Sequence, residues 1–117
     1  MDAHLLRLHR PDVADLSDWR APIEPFSIMV QLMVGPANGR GEESFDVTLC
    51  SADWLKDRAA SEGIVDTRSC HVVDGSDFDV ARSYFARRVK ACSGNDRSEV
   101  ALKLSRIGRW EYEDYMP

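Results

Sequence analysis

Nine residues constrain this chain more than any others. From Phe26 to Val34 the side chains alternate, with Phe26, Ile28, Val30, Leu32 and Val34 on one side and Ser27, Met29, Gln31 and Met33 on the other. A period of two is the signature of a strand buried on one face. After the turn-rich run Gly35-Pro-Ala-Asn-Gly-Arg-Gly41 the alternation resumes, setting Phe45, Val47 and Leu49 against Asp46, Thr48 and Cys50. Two such runs joined by a Gly/Asn-rich loop predict a long-looped β-hairpin. One face of the sheet is thereby committed to a core. The opposite face is only half polar: Met29, Gln31, Met33 and Thr48 lie there, with His71 a candidate to join them. Either the N-terminal segment and Trp54 cover that face, or it awaits a partner.

The remaining elements arrange themselves around the hairpin. Leu5 to His9 reads as a short strand, with Leu6 and Leu8 on one face and Arg7 and His9 on the other. Between Pro11 and Pro25, three prolines and four carboxylates oppose any long regular element, though Asp15 to Trp19 can form a helical turn. Ser51 predicts a helix over 52–61, with Leu55 and Ala59 inward and Gly63 as its stop. Thr67 to Val73 predicts another strand, with Cys70 and Val72 on one side. A turn at Asp74-Gly75-Ser76 and a capping pair, Ser76 with Asp79, introduce the longest helix, whose stripe is Ala81, Phe85, Val89 and Cys92 with Tyr84 beside it. Ser93-Gly94-Asn95 ends that helix. Asp96 caps the next, with Glu99 at its third position and Val100, Leu104 and Ile107 inward; Gly108 reads as its left-handed C-cap. The order predicts a single α+β domain over 1–117, an antiparallel β-sheet with helices packed mainly on one face.

The chemistry expected of an enzyme is missing. His4, His9 and His71 make no helix-turn pair, and Cys70 and His71, adjacent on a strand, point to opposite faces. Cys50, Cys70 and Cys92 have no metal-ligand spacing and read as buried thiols of a reducing compartment. Gly35, Gly39 and Gly41 lack a Gly-Lys-Ser/Thr ending and lead into a strand, so they do not form a phosphate loop. No catalytic residue, metal or cofactor is expected. No apolar run approaches the roughly 20 residues of a membrane helix, and the start Met-Asp-Ala-His has no secretory character, so a cytoplasmic location is expected. Charge is uneven. Residues 82–109 hold eight basic and two acidic groups, a net +6, whereas residues 1–81 hold seven and fifteen, a net −8. An acidic strand-and-loop portion can steer a basic partner, with Glu42, Glu43 and Asp74 as candidate contacts. Met29, Gln31 and Met33 are the candidates on the half-polar face.

The chain closes on Leu104-Ser-Arg-Ile-Gly-Arg-Trp-Glu-Tyr-Glu-Asp-Tyr115. Trp110 and Tyr112 recur two apart and would share one face of an extended segment, so the tail is expected to dock on the body of the fold. Glu111, Glu113 and Asp114 make it acidic. If extended, it places Glu111 and Glu113 about 7 Å apart, but anchoring to backbone amides or to Arg106 and Arg109 outweighs any paired-carboxylate chemistry.

This closing run resembles the end of immunity protein family 8 of bacterial polymorphic toxin systems. Gly41-Glu-Glu-Ser-Phe-Asp-Val47, followed by Cys50 and Trp54-Leu55, agrees with it, as does the preceding strand Val30-Gln-Leu-Met-Val-Gly35. The resemblance runs from about 26 to 115; Tyr112 stands where Phe is more usual. It implies an inhibitor without chemistry of its own that binds one cognate toxin domain, with Trp110 to Asp114 as a structural motif. The acidic balance favours a basic toxin such as a nuclease, with no direct contact to nucleic acid or membrane. The alternative is a small cytoplasmic binding or regulatory module that uses the half-polar sheet face.

Overall fold

The computed structural model describes residues 1–10, 23–36, 41–74 and 78–111. The expected helical turn near Trp19, the Ser76 cap, and Tyr112, Glu113 and Asp114 lie outside them. The chain order is β1 (His4–His9), β2 (Ser27–Gly35), β3 (Glu43–Cys50), α1 (Ala52–Glu62), β4 (Cys70–Val72), α2 (Phe78–Lys90), α3 (Arg97–Leu104) and β5 (Arg109–Trp110). The sheet runs β1-β2-β3-β4, and β5 pairs with β3. The α+β prediction holds.

The hairpin is as its alternation requires. β2 and β3 pair antiparallel from Ser27 opposite Cys50 to Val34 opposite Glu43. Val30, Leu32, Val34, Phe45, Val47 and Leu49 are buried, and Phe85, Val89, Val100 and Leu104 from the helices, with Ile107 from the turn after α3, join them in one core. Burying a side chain of this size contributes about 1.5–3 kcal/mol, so these rows carry much of the stability. The predicted stripe is buried, Ala81, Phe85 and Val89 on α2 and Cys92 in the turn just past its end. Asp96 caps α3 through Oδ1, which accepts the Glu99 N–H at 2.8 Å. Glu99 in turn accepts the Asn95 N–H at 2.9 Å, a bond that holds its carboxyl below the usual range.

Tertiary structure changes several expectations. In β1 the register shifts between Leu5 and Arg7. Leu5 and Leu8, opposite Val34 and Leu32, therefore share the core face in place of Leu6 and Leu8, because a bulge inserts a residue into the period of two. β4 is three residues long and pairs parallel to β3, Thr48 opposite Cys70 and Cys50 opposite Val72. The sheet is thus mixed, since a crossover through α1 returns the chain in the same direction. His71 sits opposite Leu49 and so on the helix face, away from the half-polar side. Helix α1 buries none of its residues; Leu55 and Ala59 are half-buried.

Gly108 has a different role from the one its position suggests. Among the described glycines only Gly41 and Gly63 have positive φ, and Gly63 does stop α1, donating to Ala59 O at 2.8 Å. Gly108 is buried against β3, where a Cβ would lie 2.9 Å from the Asp46 carbonyl oxygen, 3.0 Å from Val47 Cγ1 and 3.2 Å from Phe45 Cβ. It is glycine for space. That close approach lets β5 reach β3, with Trp110 opposite Phe45 and its ring stacked on Phe45 at 6.4 Å.

Candidate functional site

Helices α2 and α3 occupy one face of the sheet, and strand registers lay out the other in rows. Arg7, Met33 and Ser44 form one row; His9, Gln31, Asp46 and Arg109 form the next. Met29, Thr48 and Cys70 follow, and then Ser27, Cys50 and Val72. Period-two alternation puts these residues here, because their sequence neighbours are the core residues. Met29 is 47% exposed. Gln31, Met33, Asp46 and Thr48 are half-buried, and Arg7, His9 and Arg109 are exposed. The result is a polar band across the sheet with a methionine on either side. Methionine is unbranched and polarizable, so it adapts to an irregular partner surface.

The acidic candidates do not form one patch. Glu42 accepts from Arg7 Nη2 at 3.0 Å, tying the start of β3 to β1. Glu43 is paired with Arg97 at the start of α3. Both are therefore partly neutralised within the fold. Asp74 is exposed just past Val73, whose N–H bonds Cys50 O at the far end of β3. Seven residues of extended chain separate Glu43 from Cys50, about 23 Å at roughly 3.3 Å per residue. Of the six partner candidates, Met29, Gln31 and Met33 come together and the three carboxylates do not.

The residues that could suggest chemistry are engaged in packing. His71 Nε2 donates to Ile107 O at 3.1 Å, and its ring meets Phe85 edge-on at 5.0 Å. A carbonyl can only accept, so Nε2 carries the proton. Burial lowers the His71 pKa, the Ile107 bond opposes that, and nearby Arg88 reinforces it. Burial also pushes the Cys50 and Cys92 thiols up, which keeps them protonated and poorly nucleophilic. No group of three or more potential metal ligands occurs among the described residues. Nor is any helix among them long and apolar enough to cross a membrane. Trp54 and Trp110 are half-buried, with the Arg58 guanidinium over the Trp54 ring; neither is an exposed anchor.

Two structural residues exceed what their sequence positions suggest. Ser51, fully buried, accepts the Phe26 N–H at 3.0 Å as well as capping α1. His71 ties β4 to the turn that follows α3, and only its β-branched and apolar surroundings hinted at burial. No curated protein and no solved structure matches the chain. Residues 3–115 match the family model described as immunity protein 8, and the chain, matched over nearly its whole length, belongs to that family.

Proposed function

We propose that this protein is a cytoplasmic, non-catalytic inhibitor that binds a cognate toxin domain in a one-to-one complex and occludes its working surface. The observation that carries the reading is the sheet face away from α2 and α3, where Met29, Gln31 and Met33 are gathered and Met29 is 47% exposed. Three strands about 4.8 Å apart and some 26 Å long give roughly 350–400 Å², about half of the ~800 Å² per partner in a standard interface. The rim must therefore take part, and Arg7, Glu42 and Arg109 are the nearest charged groups. Charges on this face are mixed, Asp46 against Arg7 and Arg109, so the face favours no strongly basic partner. A nuclease toxin would have to meet the acidic groups elsewhere on the chain. The ion pairs at Glu42 and Glu43 move the favoured contact from those carboxylates to the methionine rows.

Co-expression with the toxin domain encoded immediately upstream tests this. The two should co-purify, and Met29→Asp with Met33→Asp should weaken binding at least about tenfold with an unchanged urea midpoint, since central apolar contacts carry most interface energy. Unimpaired protection of toxin-exposed cells by that double variant would remove the sheet face from the complex. Absence of any toxin domain upstream would favour the regulatory module instead.

A further inference from the structure

The sheet ends at β4, and that edge is built differently from the rest. Ser69 O accepts from Thr48 N at 2.8 Å, and Val73 N donates to Cys50 O at 2.9 Å. In a parallel ladder alternate residues face the partner strand, so the N–H and C=O of Val72 point away from β3. Among the described residues no strand pairs with β4 on that side. Between β4 and α2 lies a cleft of about 690 Å³ whose walls include His71, Val73, Val80, Tyr84 and Phe85. Val80 is 66% exposed on its helix lip and Val72 54% exposed on the opposite sheet face. A strand added beside Val72 would thus meet apolar surface on both of its faces.

Charge selects the occupant. Arg88 Nη1 donates to Tyr84 Oη at 2.7 Å, and the Arg87 and Arg88 guanidiniums lie 5.8 and 5.7 Å from the Tyr84 ring centre. Tyr84 is a wall of the cleft beside His71, their ring centroids 5.9 Å apart, so both cations flank that wall at the His71 end, while Asp74 lines the other end. We propose that this cleft docks an extended, carboxylate-bearing peptide segment of a protein partner as an added strand on β4, with the carboxylate at the Arg87–Arg88 end. Backbone bonds to Val72 supply the affinity and the arginine pair supplies direction and charge preference. The proposal depends neither on the toxin reading nor on the methionine face.

The test uses the full chain and three capped hexapeptides: alternating Val and Thr with Glu at the N-terminal end, the same with Glu at the C-terminal end, and one with Lys in place of Glu. Calorimetry should give saturable binding for the Glu peptide whose direction suits the arginines, with the Lys peptide about tenfold or more weaker. Amide NMR shifts should fall on 70–73 and 80–88. Arg87→Glu with Arg88→Glu should reverse the preference. Val72→Pro, which removes an outward N–H and spares the bonds to β3, should abolish binding, and Val72→Thr should keep it within about twofold. Should Val72→Pro lose its circular dichroism, the arginine reversal on the helix surface still decides. No saturation at millimolar peptide, equal affinity for the Lys peptide, or shifts confined to Met29 and Met33 would overturn the proposal. So would sedimentation showing a dimer that Val72→Pro makes monomeric, because the occupant would then be a second copy of this chain.

Discussion

Replacing Gly108 by alanine separates two reasons a glycine can follow a helix. If Gly108 were a left-handed cap, Asn would serve nearly as well as Gly, and Ala would suffer from backbone strain alone. The structure gives the other reason. A Cβ there meets the Asp46 carbonyl oxygen at 2.9 Å and Val47 Cγ1 at 3.0 Å, and the carbonyl belongs to the β3 backbone, which cannot yield without disturbing its pairing. Overpacking of this kind costs about 1–3 kcal/mol. The lower unfolded-state entropy of Ala returns about 0.4–1 kcal/mol, leaving a net loss of roughly 1–2 kcal/mol. For a domain of this size that lowers Tm by about 4–8 °C and the urea midpoint by about 0.5–1.5 M. Gly108→Asn should be worse than Gly108→Ala. At Gly63 the order should invert: φ is +84° and nothing lies within 4 Å, so Gly63→Asn should be milder than Gly63→Ala. Gly94→Ala should cost under about 1 kcal/mol, because its nearest neighbour is the movable side chain of Glu99. Urea melts of these five variants decide the matter. A Gly108→Ala midpoint equal to wild type, or Gly108→Asn better than Gly108→Ala, would refute the packing argument.

Three further outcomes follow from named contacts. Ser51→Ala should lose about 2 kcal/mol in chemical denaturation, since it orphans the Phe26 N–H and removes the α1 cap together; a loss below about 0.5 kcal/mol would contradict it. Truncation after Gly108 removes the Trp110 stack on Phe45 and the Glu111 N–H bond to Ser44 O. It should destabilise by about 2–3 kcal/mol, and an unchanged melting curve would make the tail a detachable appendage. His71 has a folded pKa below its ordinary value of about 6.5, so the unfolded state binds the proton more readily. Its contribution is complete above about pH 6.5 and falls as the pH drops below that value. His71→Phe should flatten this part of the stability–pH curve, and an unchanged slope would assign it to other groups.

The half-polar face was legible in the sequence because alternation is local: once Val30, Leu32 and Val34 are inward, Met29, Gln31 and Met33 must be outward. The same holds for the α2 stripe, the Ser51 and Asp96 caps and the Gly63 stop, each set by neighbours within a turn or two. What the sequence could not assign was partnership across the chain. Glu42 and Glu43 read as candidate contacts for a basic partner, yet Arg7 and Arg97, 35 and 54 residues away, claim them. His71 fell on the helix face because β4 pairs with β3 in the register that sets it opposite Leu49, a choice that no period records. The β1 bulge moved Leu5 into the core without changing composition or spacing. Gly108 carried the signal of a cap, but its reason lies in the β3 backbone pressed against it. Local periodicity thus determined which side of each element is apolar, while tertiary structure decided which surfaces meet, because register, crossover direction and close approach are set by distant residues competing for the same space.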